Sequence, residues 1–341
     1  MKHYLLPENG SFYKANLHTH TTVSDGIYSP EEIKSNYQAH GYSVVAFTDH
    51  DVMIDHSALN DENFLAITSY EVYTNGPSRG GSFMDTPTYH LNFYAKNPHE
   101  TNYVCPNPGY CFGNAPKYAA TQDYYQGNYT RIYSVEGQNE MISEAQTKGY
   151  LISYNHPDWS LQSYPDYIGL EGITAVEVYN TGCVVAGWVL DEGDHVLDDF
   201  LKAGKRVYPV ATDDNHGAHD MCSGWVRFKA PELSYDAIMS AYAKGDFYAS
   251  WGPEIDALYL EDGILKVDCT SVVKIAVHTA LRCCDIRSSE EGMTHAEFDL
   301  NPYISEARRL GYGDRAYFRL VLTDHRGNRA LTRGYFLDEL E

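Results

Sequence analysis

Six short polar stretches constrain this chain more than anything else in it. Each puts a metal-ligand type of side chain at the end of an apolar, strand-like run. The first is Asn16-Leu17-His18-Thr19-His20, followed at once by Thr22-Val23-Ser24-Asp25-Gly26. Side chains at i and i+2 of a strand share a face, so His18 and His20 point the same way and can grip one ion. A lone His-x-His is ordinary, because hydrogen-bonded histidines are common. The pattern recurs in Thr48-Asp49-His50, Tyr70-Glu71, Tyr89-His90, Asn155-His156-Pro157 and Asp214-Asn215-His216. Unrelated polar residues at strand ends would have to repeat the same coincidence each time.

Between these stretches the chain alternates strand-like and helix-like runs. Ser29-Pro30-Glu31-Glu32 is a helix start with a capping serine and a glutamate at the capping-box position, and Gly41 lies past the end. Ser43–Thr48 and Phe64–Tyr70 are buried strands that deliver His50 and Glu71. Polar residues at the carboxyl ends of alternating strands are how a parallel α/β barrel builds a site. From about 73 to 131 the regularity breaks into Gly-, Pro-, Asn- and Tyr-rich sequence, with one strand at Thr88–Tyr94. The aromatics argue for an ordered lid over the site. Alternation then resumes and ends near Trp251-Gly252-Pro253. Short runs with turn signals follow, which predict a small all-β sandwich. The expected division is residues 1–252 and 253–341.

Composition sets limits on partners. The formal charge is −22, from 47 acidic and 25 basic residues, which disfavours binding of duplex nucleic acid. No apolar run approaches a membrane span and no signal-peptide core follows Met1, so the expected location is the cytoplasm. Seven scattered cysteines are neither a disulfide framework nor a zinc ribbon. Cys105 and Cys111 are the one pair placed to bridge a Pro-Gly loop, although cytosolic thiols stay reduced. The 30 tyrosines read mainly as fillers of half-buried positions.

Nine candidate ligands emerge: His18, His20, Asp25, His50, Glu71, His90, His156, Asp214 and His216. Six imidazoles and three carboxylates are too many for one ion and suit two or three. In these residues the chain resembles the polymerase-and-histidinol-phosphatase (PHP) family of metal-dependent hydrolases, over roughly residues 11–250. Gly245–Pro253 also looks like members that carry an extra β domain. The resemblance implies a distorted (β/α)7 TIM-like barrel with a trinuclear site for divalent zinc, manganese or iron. It places His18, His20, Glu71 and Asp214 round one ion. Glu71, bridging, joins His90 and His156 at a second; Asp25, His50 and His216 hold a third. The segment around 106–129 is unlike short members of the family.

The chemistry follows from the ions. A water shared by two divalent metals loses its proton near neutral pH and becomes a nucleophile. Glu71 and Asp214 are the carboxylates at the centre of that arrangement. Asp213 and His219 are candidates for a general acid, weighed against hydrogen-bonded support of the ligands, which is the stronger reading. Arg79, Arg131 and Arg227 are candidates to grip a second anionic group, each weighed against an ordinary surface role. The leading expectation is a phosphomonoesterase acting on a small phosphorylated metabolite or nucleotide. Hydrolysis of a carbamate, ester or amide by the same site is the runner-up. A noncatalytic module with structural metals is the third reading, and the intact Asp25, His50 and His216 count against it.

Overall fold

The computed structural model describes every residue except 1, 101, 123–124, 190–192 and 341. Strands β1 (Lys2–Tyr4) and β2 (Ser11–Asn16) come first. Helix α1 (Pro30–Ala39) begins at a complete capping box. Ser29 Oγ accepts the Glu32 amide and the Glu32 carboxylate accepts the Ser29 amide. Ile33 and Tyr37, four residues apart, form its buried face. Next come β3 (Val44–Phe47), β4 (Leu65–Asn75), β5 (Thr88–Ala95), α2 (Ala115–Ala119) and α3 (Val135–Thr147). They are followed by β6 (Tyr150–Tyr154), α4 (Tyr164–Tyr167), β7 (Ala175–Asn180), α5 (Thr181–Val185), α6 (His195–Lys202) and β8 (Tyr208–Thr212). β9 (Trp225–Ala230), α7 (Tyr235–Lys244) and β10 (Phe247–Ser250) lead to the Gly252-Pro253 turn. Beyond it lie β11 (Ile255–Glu261), β12 (Ile264–Thr279), β13 (Cys284–Asp299), α8 (Asn301–Arg309), β14 (Tyr317–Thr323), β15 (Arg329–Thr332) and β16 (Tyr335–Phe336).

All these strands belong to one sheet of mixed direction. Its order is β1-β11-β12-β14-β15-β10-β9-β2-β3-β4-β5-β6-β7-β8, with β13 on β12 and β16 on β14. The runs β2-β3-β4 and β6-β7-β8 are parallel. The pairs β4-β5, β5-β6, β2-β9 and β9-β10 are antiparallel. A barrel of parallel strands throughout is therefore not what the ladders describe. β8 lies beside β9, yet no ladder joins them among the described residues. A strand buried on both faces is a continuous apolar run whichever way its neighbours point, so composition does not reveal direction.

Three further expectations need correction or detail. The part after Pro253 is not all-β. Asn301-Pro302 starts α8, and Tyr303 and Ala307, one turn apart, bury its inner face. The cysteines are all free, so Cys105 and Cys111 do not pair. Cys105 Sγ lies 2.9 Å from Glu144 Oε2 and Cys111 Sγ 3.3 Å from Tyr125 Oη. The segment expected as a lid has two fates: Tyr103, Val104, Cys105 and Tyr125 enter the main core, while Phe83, Met84 and Phe112 reach a cavity above the strand ends. Its residues 101, 123 and 124 lie outside the described residues. No helix among the described residues is long and apolar enough to cross a membrane.

Candidate metal centre

The loops that leave β2, β3 and β8 are tied to one another and to β4 by backbone pairing. Thr19 bridges Asn215, and His50 bridges Glu71. The His20 amide donates to Asn215 O at 3.1 Å and the Asp214 amide to His18 O at 2.9 Å. Asp49 holds the turn that carries Asp25. It accepts the Thr21 amide at 2.8 Å, the Ser24 amide at 3.1 Å and the Ser24 hydroxyl at 2.7 Å. Gly26 completes that turn, and a Cβ there would meet His20 O at 2.4 Å. His156 and Asp214 both adopt positive φ, at 26° and 51°, a conformation maintained because the surroundings over-determine it.

The nine sequence-predicted ligands converge. His18 Nε2 lies 3.2 Å from Glu71 Oε1 and 3.2 Å from Asp214 Oδ1, and His20 Nε2 lies 3.0 Å from Asp214 Oδ1. Glu71 also lies 3.1 Å from His50 Nδ1, 3.0 Å from His90 Nδ1 and 3.6 Å from His156 Nε2. Asp25 faces His20 Nδ1 at 3.7 Å, His50 Nε2 at 3.9 Å and His216 Nε2 at 3.4 Å. The donor atoms fall into overlapping sets: His20, Asp25, His50 and His216; His18, His20 and Asp214; His50, Glu71 and His90. A further set joins His18 and His156 to Glu177.

Do these residues fit metal ions? His20 Nδ1, His50 Nδ1, Glu71 Oε2 and Asp214 Oδ1 are buried without a hydrogen-bond partner. A buried polar atom left unpaired costs roughly 1–3 kcal/mol. Unsatisfied imidazole nitrogens and carboxylate oxygens turned toward one another are the donor set a divalent cation needs, so the fit is good.

Charge is arranged in the same sense. Burial opposes ionisation of Glu71 and Asp214, but neighbouring histidines, His18 first, hold both carboxyls well below their usual range. Burial likewise opposes charge on His18, yet Asp214, Glu71 and Glu177 outweigh it and raise that imidazole well above its ordinary value. His216 is raised to about 9, where the Asp25 hydrogen bond overcomes burial. His50 is pushed down to about 3, by burial and then by His20.

The sequence reading missed Glu177. Fully buried in β7, its Oε1 lies 2.7 Å from His18 Nδ1 and accepts Thr212 Oγ1 at 2.8 Å, while Oε2 accepts the His156 amide at 3.0 Å. Glu177 thus holds the far side of His18 and leaves Nε2 for the cluster. A glutamate within the apolar run Ala175-Val176-Glu177-Val178-Tyr179 was the available signal. Asn155 adds a bond to Glu71 Oε1 at 2.8 Å and Asn180 one to Asp214 Oδ2 at 3.1 Å.

The other candidates lie apart from the cluster. Asp213 accepts the amides of Cys222, Ser223 and Gly224 and the hydroxyls of Thr181 and Tyr37, so its oxygens are committed. It braces the loop and does not line the cavity. His219 and Arg79 are exposed and do not line it either. Arg131 is locked onto Asp51, donates to Tyr73 O at 2.7 Å and lies over the Tyr110 ring at 4.1 Å. Arg227 pairs with Glu254 at 2.5 Å.

The cluster floors a cavity of about 830 Å³ whose walls include Phe83, Phe112, Trp159 and Trp188. Residues 16–151 match the PHP domain family. A 5'-3' exoribonuclease of Haemophilus influenzae is 39% identical over 71 residues, 20% of this chain and 26% of that protein. The chain therefore spans about a quarter of the length of that curated relative. A two-domain protein of Bacteroides vulgatus containing a predicted PHP-like metal-dependent phosphoesterase aligns over 94% of both chains, at 13% identity and a TM-score of 0.48. An amidohydrolase of Chromobacterium violaceum aligns over 68% of this chain and 96% of its own, at 14% identity and a TM-score of 0.44. The residues that match the PHP domain family, 16–151, contain six of the converging side chains: His18, His20, Asp25, His50, Glu71 and His90.

Proposed function

We propose that this chain is a metal-dependent hydrolase, and specifically a phosphomonoesterase acting on a small phosphorylated molecule. The observation that carries the proposal is the convergence of buried, unpaired ligand atoms from His20, His50, Glu71 and Asp214, the last three at the floor of one cavity. The donor sets overlap in His18, His20 and His50, so the cluster suits two or three ions rather than one. When bound there, divalent cations supply a nucleophile from water near neutral pH and neutralise charge on the oxygens of the reacting group. His18, His20, His50, His90, His156 and His216 would hold them as neutral ligands, with Asp25, Glu71 and Asp214 as anions. Glu71 stands between the histidine groups and is the bridging candidate, since both its oxygens face imidazoles. Glu177 and Asn155 fix ring and carboxylate orientation. The strands from β2 to β8, with β9 beside β8, are read as a distorted barrel that brings the loops to one end.

The size of the cavity and the net charge of −22 favour a compact substrate over duplex nucleic acid. One observation favours the runner-up, hydrolysis of a carbamate, ester or amide. No Lys or Arg lines the cavity among the described residues, so no side chain adds positive charge beside a phosphoryl group. The change in element type at Gly252-Pro253 supports two units, 1–252 and 253–341, with β1 joined to the second by its ladder with β11. The deciding assay is a metal-replete panel of phosphomonoesters, aryl carbamates and oligonucleotides ranked by kcat/KM. Monoesters are expected to lead. Carbamate hydrolysis without phosphate release from any monoester would move the assignment to the runner-up.

A further inference from the structure

The cavity has a charged floor and an aromatic wall. Trp159 stands 4.8 Å from the His156 ring and 5.5 Å from the His90 ring, centroid to centroid. Trp188 stacks on Trp159 at 5.5 Å with only 10° between the planes. Phe83 closes the corner at 5.8 Å from Trp159 and 6.1 Å from Trp188. Across the floor, Phe112 lies 4.7 Å from His50. Phe83 is 65% and Trp188 53% exposed, so the wall is open to a ligand. Its charge is equally telling. Among the described residues no Lys or Arg lines the cavity, while Asp158 and Asp220 add carboxylates to it. Of the arginines that the sequence offered for a second anionic group, Arg131 and Arg227 are paired elsewhere, and Arg79, exposed, does not line the cavity. A second phosphate or carboxylate on the substrate would meet only negative charge beyond the floor.

The two nearly parallel indoles are stacked, with Trp159 against the metal-ligand rings and Trp188 one ring farther out, and both line the cavity as a flat plate. A plate suits the face of a planar ring. A quaternary ammonium is held better by aromatic faces that close round it. We infer that the site selects phosphomonoesters whose leaving group is a neutral planar ring, with Trp159, Trp188 and Phe83 as specificity-determining residues. This inference rests on the phosphomonoesterase reading above. In the step concerned, the oxygen of water bonds to phosphorus and the bond from phosphorus to the ring's oxygen breaks. That oxygen takes a proton, and the products are inorganic phosphate and a hydroxyl-bearing ring.

The test uses the metal-replete full chain in two measurements. Equilibrium dialysis with 1-naphthol, the neutral product of naphthyl phosphate, is expected to show saturable binding that weakens about tenfold in Trp188→Ala, the scale of losing one ring stack. Phe83→Ala, also at an exposed ring, should weaken it in the same direction. Kinetics should place 1-naphthyl phosphate above glycerol phosphate and phosphocholine in kcat/KM. In Trp188→Ala the preference for naphthyl over glycerol phosphate should fall about tenfold, through KM rather than kcat. Naphthol binding that is absent, or unchanged in both variants, overturns the inference. So does phosphocholine ranking first. Trp188-dependent naphthol binding with no hydrolysis of any monoester supports the ring subsite and refutes the phosphomonoesterase reading instead.

Discussion

Glu71 and Glu177 are both buried glutamates beside His18, yet they touch different nitrogens of it. Glu71 approaches Nε2 at 3.2 Å, and Glu177 holds Nδ1 at 2.7 Å. Their isosteric amides should therefore fail differently. Glu71→Gln removes an anion that faces several imidazoles, so bound metal and turnover should drop together while the thermal midpoint of the metal-free chain changes little. Full metal occupancy with full turnover would remove Glu71 from the bridging role. Glu177→Gln keeps a donor or acceptor near Nδ1 but loses the charge that sets the ring's basicity, and should weaken metal affinity by about 10–100-fold, read by competition with a chelating dye. The histidines also set a pH dependence. His216 in the metal-free fold titrates at about 9, above the ordinary value for histidine, and His18 and His156 are raised too. Protons bound more tightly in the folded state stabilise it fully below about pH 6.5, and that stabilisation is lost as pH rises toward 9. The chelator-treated chain should thus melt at a lower temperature at pH 9 than at pH 6.5. Metal affinity should rise across the same window, because the ion displaces those protons. A flat melting profile together with pH-independent metal affinity would contradict this arrangement.

Local elements were the most legible part of the chain. The capping box of α1 is read directly from Ser29 and Glu32, and Ser29→Ala should destabilise the fold by about 0.5–2 kcal/mol without altering metal affinity, measured by denaturant unfolding. The ligands were legible for a similar reason: imidazoles and carboxylates at strand ends announce their chemistry residue by residue. What connects distant elements was not. Arg131 and Asp51 are 80 residues apart, and their ion pair fixes the segment after α2 to the loop that carries His50. In sequence, Arg131 is one more arginine available to an anion. Glu177 looked like part of an apolar strand because only the fold brings Nδ1 of His18 to it. The antiparallel ladders of β5 were hidden as well, since a buried strand has the same composition in either direction.

The sheet continues across Gly252-Pro253. β10, before the turn, pairs with β15, beyond it, and Arg319 of β14 is fully buried between Asp194 and Asp198 beside α6. Trp251 stacks on Tyr179 of β7 at 4.6 Å. Cutting the chain after Ser250 would strand Asp194 and Asp198 without their guanidinium and uncover apolar residues that share a core with Tyr317, Leu331 and Phe336. A chain ending there should be far less stable than the whole, seen as a lost or strongly lowered unfolding transition. An unchanged transition would show that the second unit is dispensable to the first. The claim on which everything else depends is that nine side chains from six loops and strands enclose more than one divalent ion. Anomalous diffraction from crystals grown with manganese or zinc, recorded on both sides of the metal's absorption edge, tests it most directly. The account predicts two or three peaks within coordination distance of His18, His20, Asp25, His50, Glu71, His90, His156, Asp214 and His216, with Glu71 touching two of them. A single peak, or peaks that leave Glu71 and Asp214 uncoordinated, would contradict it.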